Sequence, residues 1–270
     1  GSPGARTNAF EQRARNARLY VENQTWLQEK WVLAVGAQAL SAERRSRDRF
    51  ITGGRDESFD VDYSGVSPKL GMRYLASEAT QWFGNVSASR EPPSFGELTG
   101  GPGVTQVDQQ EATTGELGVR HQSESFTVDA ALYRAHVDDE LLALTDGAGN
   151  PLGTVNADRT IHQGLELGLG WRFAPGWSVS ANYLYNDFRF DGDAVFGDNE
   201  LAGVPPQQLR TELRWELDRR FFVAPHVEWA PQDYYVDHAN TFRAPGYTVV
   251  GVRVGGDLAE FGTVADPSTA

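Results

Sequence analysis

Four arginines crowd into six positions, Arg44, Arg45, Arg47 and Arg49. Planar guanidinium groups recognise carboxylates and phosphates through paired N–H donors, so this stretch is suited to holding an anion, although a solvated basic loop has the same composition. A second charged set alternates with apolar residues: Arg210, Glu212, Arg214 and Glu216 are interleaved with Leu209, Thr211, Leu213, Trp215 and Leu217. Glu166 and Glu228 sit in comparable alternation, as do Glu116, Arg120, Asp129, His226 and Arg253. The five histidines, His121, His136, His162, His226 and His238, are scattered, with none of the spacing of a helical zinc motif. With one methionine and no cysteine there are no soft donors for copper and no disulfides. The stretch Asp191-Gly192-Asp193 to Asp198-Asn199-Glu200 has the carboxylate density of a calcium loop, yet Val195 and Phe196 stand where such a loop needs a ligand and a glycine. It reads as a solvated acidic loop, as do Asp56, Glu57, Asp60 and Asp62. No nucleophile elbow and no paired His and Ser motif is present, so no catalytic residue, metal site or cofactor is assigned and the chain is not read as an enzyme.

The elements that must carry these residues are strands. From Ile161 to Asp191, two alternating segments flank Ala174-Pro175-Gly176. Leu165, Leu167, Leu169, Trp171 and Phe173 take odd positions against Gly164, Glu166, Gly168, Gly170 and Arg172, and Trp177, Val179, Ala181, Tyr183 and Tyr185 repeat the pattern. Period two means a strand with one apolar and one polar face. Each arm reaches the roughly 9–11 residues that a tilted strand needs to cross a bilayer. A soluble sandwich hairpin is the rival reading.

Strand-like segments fall at roughly 17–27, 31–42, 66–77, 80–90, 111–122, 125–137, 160–173, 177–190, 207–217, 220–232 and 246–258. Their connections alternate. Those at Gln28-Glu29-Lys30, Glu78-Ala79, Ser123-Glu124, Ala174-Pro175-Gly176 and Asp218-Arg219 are tight; those from Glu43 to Gly65, Glu91 to Gln110, Asp138 to Arg159, Asp191 to Pro206 and Asp233 to Pro245 are long. Short turns at one end and long loops at the other is the asymmetry of a membrane barrel. Trp26, Trp31, Trp82, Trp171, Trp177 and Trp215, with Phe126, Phe173 and Phe221, lie near short turns and would form one interfacial belt. Tyr185, Phe188, Trp229, Tyr234 and Tyr235 would form the other. The expected fold is therefore all-β, an antiparallel transmembrane β-barrel. The charged alternation of 207–217, with Glu166 and Glu228, would face its polar lumen. About eleven strands is an odd count, so the barrel is expected to be incomplete. Hydrophobic residues make up 40%, but no stretch approaches the roughly 18–20 apolar residues of a membrane helix. A formal net charge of −13 argues against nucleic acid as a partner. Gly1-Ser2-Pro3-Gly4 begins no signal peptide, and Pro267-Ser268-Thr269-Ala270 follows no final strand closing on an aromatic residue.

Several stretches resemble the TonB-dependent outer-membrane receptors. Ser89-Arg90-Glu91-Pro92-Pro93-Ser94-Phe95-Gly96-Glu97-Leu98 is similar to the family's "PPSF.EL" segment, the most specific match. Ser67-Pro68-Lys69-Leu70-Gly71-Met72 resembles its "SPKLG" strand start, and Gln163-Gly164-Leu165-Glu166-Leu167 its "GxE" strand. Trp26 to Ala37 resembles the strand pair with an apolar-Gly pattern, and Tyr234-Tyr235-Val236-Asp237, Asn240 and Gly246-Tyr247 the penultimate loop. The resemblance implies a single domain, 1–270, as the C-terminal portion of the family's twenty-two-strand barrel, without the N-terminal plug. It implies an integral protein of the bacterial outer membrane that takes up a scarce nutrient complex, most commonly a ferric siderophore. Its partners would be outer-membrane lipid, a small-molecule metal chelate and, through the missing plug, the inner-membrane TonB complex. Arg44, Arg45, Arg47 and Arg49 would then meet lipid headgroups or an anionic iron chelate. A passive porin or diffusion channel shares the barrel physics and stands as the alternative, with a soluble β protein as a third reading.

Overall fold

The structure, a computed structural model, describes Gly4 and residues 8–51, 53–146, 149–217 and 221–256. Asp218-Arg219, Gly1 to Pro3 and the final residues from 257, about which the sequence raised expectations, lie outside the described residues. Alternation produces strands at every expected place: β1 (Phe10–Gln28), β2 (Trp31–Asp48), β3 (Phe59–Leu75), β4 (Thr80–Glu91), β5 (Gln110–Gln122), β6 (Phe126–Thr145), β7 (Pro151–Ala174), β8 (Trp177–Phe190), β9 (Gln207–Leu217), β10 (Phe221–Ala230) and β13 (Tyr247–Gly256). They form one 11-stranded sheet in chain order, each neighbour antiparallel. A short helix α1 (Phe95–Thr99) and a two-stranded pair, β11 (Tyr234–Tyr235) with β12 (Arg243–Ala244), belong to the long connections. Among the described residues β1 and β13 pair on one side only, so the sheet is an open, incomplete barrel wall.

Register sorts the two faces, because residues directly opposite each other share a side. Trp31 lies opposite Tyr74, and the row continues through Trp82, Val119, Ala130, Leu167, Tyr183, Leu209 and Trp229. It starts at a short turn on β2 and ends beside a long connection on β10, the slope that tilted barrel strands require. On this face Val35 and Leu117 are 48% and 59% exposed, with Val66, Leu70, Val86 and Leu132 between them. A wide apolar surface is thus left without protein cover, as a lipid-facing wall must be. The other face alternates charge and glycine. Phe83 lies opposite Gly118 and His226 opposite Gly251, where a Cβ would strike the aromatic ring, so glycine makes room for inward side chains.

The strands also run further than alternation shows. The stretch from Asp138 to Arg159, expected as a long loop, is mostly ladder, pairing out to Leu144 opposite Gly153 and Thr145 opposite Pro151. The reason is burial on both sides. Leu141 packs against Phe59, Leu98 and Val107, while Leu142 packs with Ala157, Phe190 and Leu201. A strand covered on both faces loses its period-two signature. Likewise β2 and β3 extend past the expected Glu43 and Gly65 boundaries, to Ser46 opposite Phe59. The long-connection end is therefore a tall, partly walled mouth with two small cores of its own.

Candidate functional site

The polar face carries a ladder of paired charges. Arg210, Glu212, Arg214 and Glu216 occupy one side of β9, opposite Asn182, Ser180 and Ser178 of β8 and His226 and Glu228 of β10. Glu166 shares that face through Leu184 and Gln208. Arg253 donates to Glu212 (2.7 Å), Arg214 to Glu216 (3.0 Å), and Tyr247 to Glu228 (2.8 Å). Arg214 also lies over the Phe222 ring at 3.6 Å. Elsewhere on the face Arg120 pairs with Asp129 (2.8 Å), Asn85 donates to Glu116 (2.6 Å), and Lys69 pairs with Glu22. Glu166 and Arg210 are exposed and have no hydrogen-bond or ion-pair partner among the described residues, so both present open charge on this face.

The arginine cluster does not sit in a loop. Arg44, Arg45 and Arg47 lie on β2 itself, and only Arg49 is beyond its end. Because they are strand residues, consecutive side chains point to opposite faces and the group is split. Arg44 faces inward, 8% exposed, and donates to Pro93 O (2.9 Å), Asn16 Oδ1 (2.8 Å) and Glu43 O (3.0 Å). Arg45 and Arg47 face the apolar side beyond Ala37, Ala39 and Ser41, and both reach Asp60 at 2.8 Å. Arg49 pairs with Glu11 at 2.6 Å. Most of the cluster's charge is thus met by neighbouring carboxylates.

The aromatic residues divide too. Trp177 stacks on Trp215 (5.2 Å, 8°), Phe173 adjoins Trp177 at 6.3 Å and Trp171 at 5.4 Å, and Trp31 meets Tyr74 at 4.7 Å. With Trp82 these form an arc on the apolar face beside the short turns. Two residues depart from the expected belts. Trp26 lies opposite Val32 and so on the polar face, because β1 alternates out of phase and is bulged just beyond it. Phe188 lies opposite His162 and stacks on it at 4.4 Å, inside the mouth. Tyr234 and Tyr235 belong to the small β11–β12 pair in a connection rather than to the wall.

In the acidic connection the carboxylates are spent on backbone amides. Asp193 accepts from Val195 and Phe196 (2.8 Å each) and from Asp158 (3.1 Å), and Asp198 from Gly192 (2.9 Å). Burial pushes the Asp193 carboxyl up, but those amide bonds outweigh it and hold the group below the ordinary range. Sequence reasoning missed several contacts at the mouth. Arg90 grips Glu111 through two bonds of 2.7 Å, and Glu140 holds Thr160 and His162, the latter at 3.1 Å. Ser94 caps α1 in a reciprocal box with Glu97, which the Ser-x-x-Glu spacing does announce. The other pairs join residues some twenty positions apart and leave no local signal.

Comparison with known proteins fits this geometry. The family described as "TonB dependent receptor-like, beta-barrel" matches residues 1–263. The pesticin receptor of Yersinia pestis is 24% identical over 208 residues, covering 72% of this chain and 29% of the relative. The ferrichrome outer membrane transporter/phage receptor of Escherichia coli (strain K12) is 25% identical over 254 residues, covering 90% of this chain and 32% of the relative. Among solved structures, the ferric yersiniabactin uptake receptor FyuA from Yersinia pestis superposes with a TM-score of 0.76 at 18% identity, over 94% of this chain and 40% of that one. The chain therefore spans about a third of the length of the curated relatives it matches. With a family match over nearly its whole length and a barrel-wall sheet of the same architecture, the chain belongs to the TonB-dependent receptor β-barrel family.

Proposed function

We propose that residues 1–270 are the C-terminal portion of the barrel of an outer-membrane receptor, which captures a scarce nutrient complex at the cell surface and imports it with energy from an inner-membrane TonB complex. The family match over residues 1–263 carries this reading. The ferric siderophore as ligand class draws support from relatives named as receptors or transporters for ferrichrome and ferrioxamine B. As a barrel of this family the chain is an integral protein of the outer membrane, with its short turns towards the periplasm and its tall mouth outside. The family is one of receptors and transporters, and no catalytic role is assigned.

Within this reading Glu166, Arg210, Glu212, Arg214, Glu216 and Glu228 line the lumen. Glu166 and Arg210, being unpaired, are the two offered to whatever fills it. The arginines take separate roles: Arg45 and Arg47, above the apolar band on the outer face, meet lipid headgroups, Arg49 extends that patch, and Arg44 positions the segment after β4 rather than touching ligand. Trp31, Trp82, Trp171, Trp177 and Trp215 anchor the wall at the periplasmic interface, whereas Trp26 turns inward.

The test is uptake by the full-length parent protein in iron-starved cells. Radioactive iron carried by one or more of a panel of siderophores should accumulate only when the parent, the TonB complex and the proton-motive force are all present. Accumulation that survives collapse of the proton-motive force would point instead to a passive channel.

A further inference from the structure

Two of the long connections, 191–206 after β8 and 231–246 after β10, are fastened to each other. The His238 ring sits between Phe190, edge-on at 5.6 Å, and Phe196 at 5.7 Å, and Phe190 is fully buried. Its Nδ1 accepts the Ala202 amide at 3.4 Å, and its carbonyl accepts the Asn199 side chain at 2.9 Å. Asn240, held at φ 56°, binds Glu200 reciprocally, accepting its amide at 2.8 Å and donating to its carbonyl at 2.9 Å. The Gly203 amide completes the seam on Tyr235 O at 2.7 Å. Each of these hydrogen bonds crosses from one connection to the other, and of the side chains making them only that of His238 is ionisable.

We propose that the two connections form one lid at the mouth of the barrel, clasped by neutral His238 and released when that ring takes up a proton. Accepting a hydrogen bond at Nδ1 requires that nitrogen to be bare. Protonation would set its N–H against the Ala202 N–H and put a charge into a half-buried site beside Phe190 and Phe196. The charged and titratable groups facing it are few. Glu140 of β6 approaches from below, already engaged by Thr160 and His162 of β7. Asp237 of the same turn is engaged by the amides of Thr241 and Phe242, and Glu200 lies in the opposing connection. Burial lowers the His238 pKa below the ordinary histidine value, outweighing the upward pull of Glu140 and Asp237. The clasped form therefore binds fewer protons than the open one. Its stability is full above the ordinary histidine range and declines as pH falls below it. The receptor reading supplies only the lid's location outside the cell; the clasp is a property of the connections themselves, so a failed pH response and a failed uptake assay are separate results.

The full-length parent, reconstituted in liposomes, carries spin labels at the exposed positions Val195→Cys and Phe242→Cys, and inter-label distances are read by pulsed electron resonance. One short-distance population is expected at about pH 7.5, with a second, longer one growing several-fold, reversibly, by about pH 5. His238→Gln keeps an acceptor without a titratable ring and should stay closed at both. Distances that do not change with pH in the unsubstituted histidine form would overturn the clasp, as would a His238→Gln protein that opens on acidification in the same way.

Discussion

At the scale of single residues, adjacent positions have opposite surroundings. Leu167 sits in the apolar row between Ala130 and Tyr183, while Glu166 looks the other way, opposite Ala131 and Leu184. An arginine at a lipid-facing mid-membrane position costs about 2–4 kcal/mol. Leu167→Arg should accordingly reduce outer-membrane assembly of the full-length parent strongly, read as heat-modifiable folded protein in isolated membranes, while Glu166→Gln leaves it near normal. Leu167→Phe separates lipid from protein packing, because fluid chains absorb the extra ring whereas a close-packed core loses about 1–3 kcal/mol. If Leu167→Phe harms assembly as much as Leu167→Arg, the face packs on protein. At the mouth, Arg44 is buried and carries the Pro93 carbonyl. Arg44→Leu strands that acceptor at a cost of about 1–3 kcal/mol. Limited proteolysis should then cut between 92 and 109 faster than in the unsubstituted protein. Unchanged proteolysis would mean the segment is held elsewhere.

At the scale of elements, what could be read in advance depended on whether a strand had one wet face. The hairpin of β7 and β8 was legible from its odd-position Leu, Trp and Tyr residues, and all eleven wall strands announced themselves in this way. Three features did not. The ladder beyond Asp138 was hidden because Glu140-Leu141-Leu142-Ala143-Leu144 is sandwiched between two loop cores, which erases alternation. The arginine cluster reads as a basic loop because polar residues on both faces of a strand look like no strand at all. Phe188 reads as a belt residue from its proximity to a long connection, whereas its register with His162 turns it inward. Register is a relation between strands, so a single strand's composition does not contain it. The connections give the element-scale prediction. Cysteines at Gly149 or Gly197, both in exposed turns beyond the tall end, should react with an impermeant thiol reagent on intact cells expressing the full-length parent, and one at Glu78 should not. Equal labelling at all three positions would invert or abolish the topology.

At the scale of the whole molecule, an open sheet with an uncovered apolar face and free edges cannot be stable alone in water. The isolated chain should aggregate without detergent, and a sharp monomeric peak with a cooperative melt would speak for a soluble fold. Closure needs further strands, which accords with the chain spanning about a third of its curated relatives. Whether this sheet separates lipid from an aqueous lumen is decided by scanning nitroxide labels one residue at a time through 165–170 in the full-length parent, in a lipid bilayer. Collisions with oxygen, which concentrates in lipid, should peak at Leu165, Leu167 and Leu169. Collisions with a water-soluble nickel complex should peak at Glu166, Gly168 and Gly170, giving two opposed profiles of period two. Profiles without that period, or with the phases exchanged, would contradict the barrel.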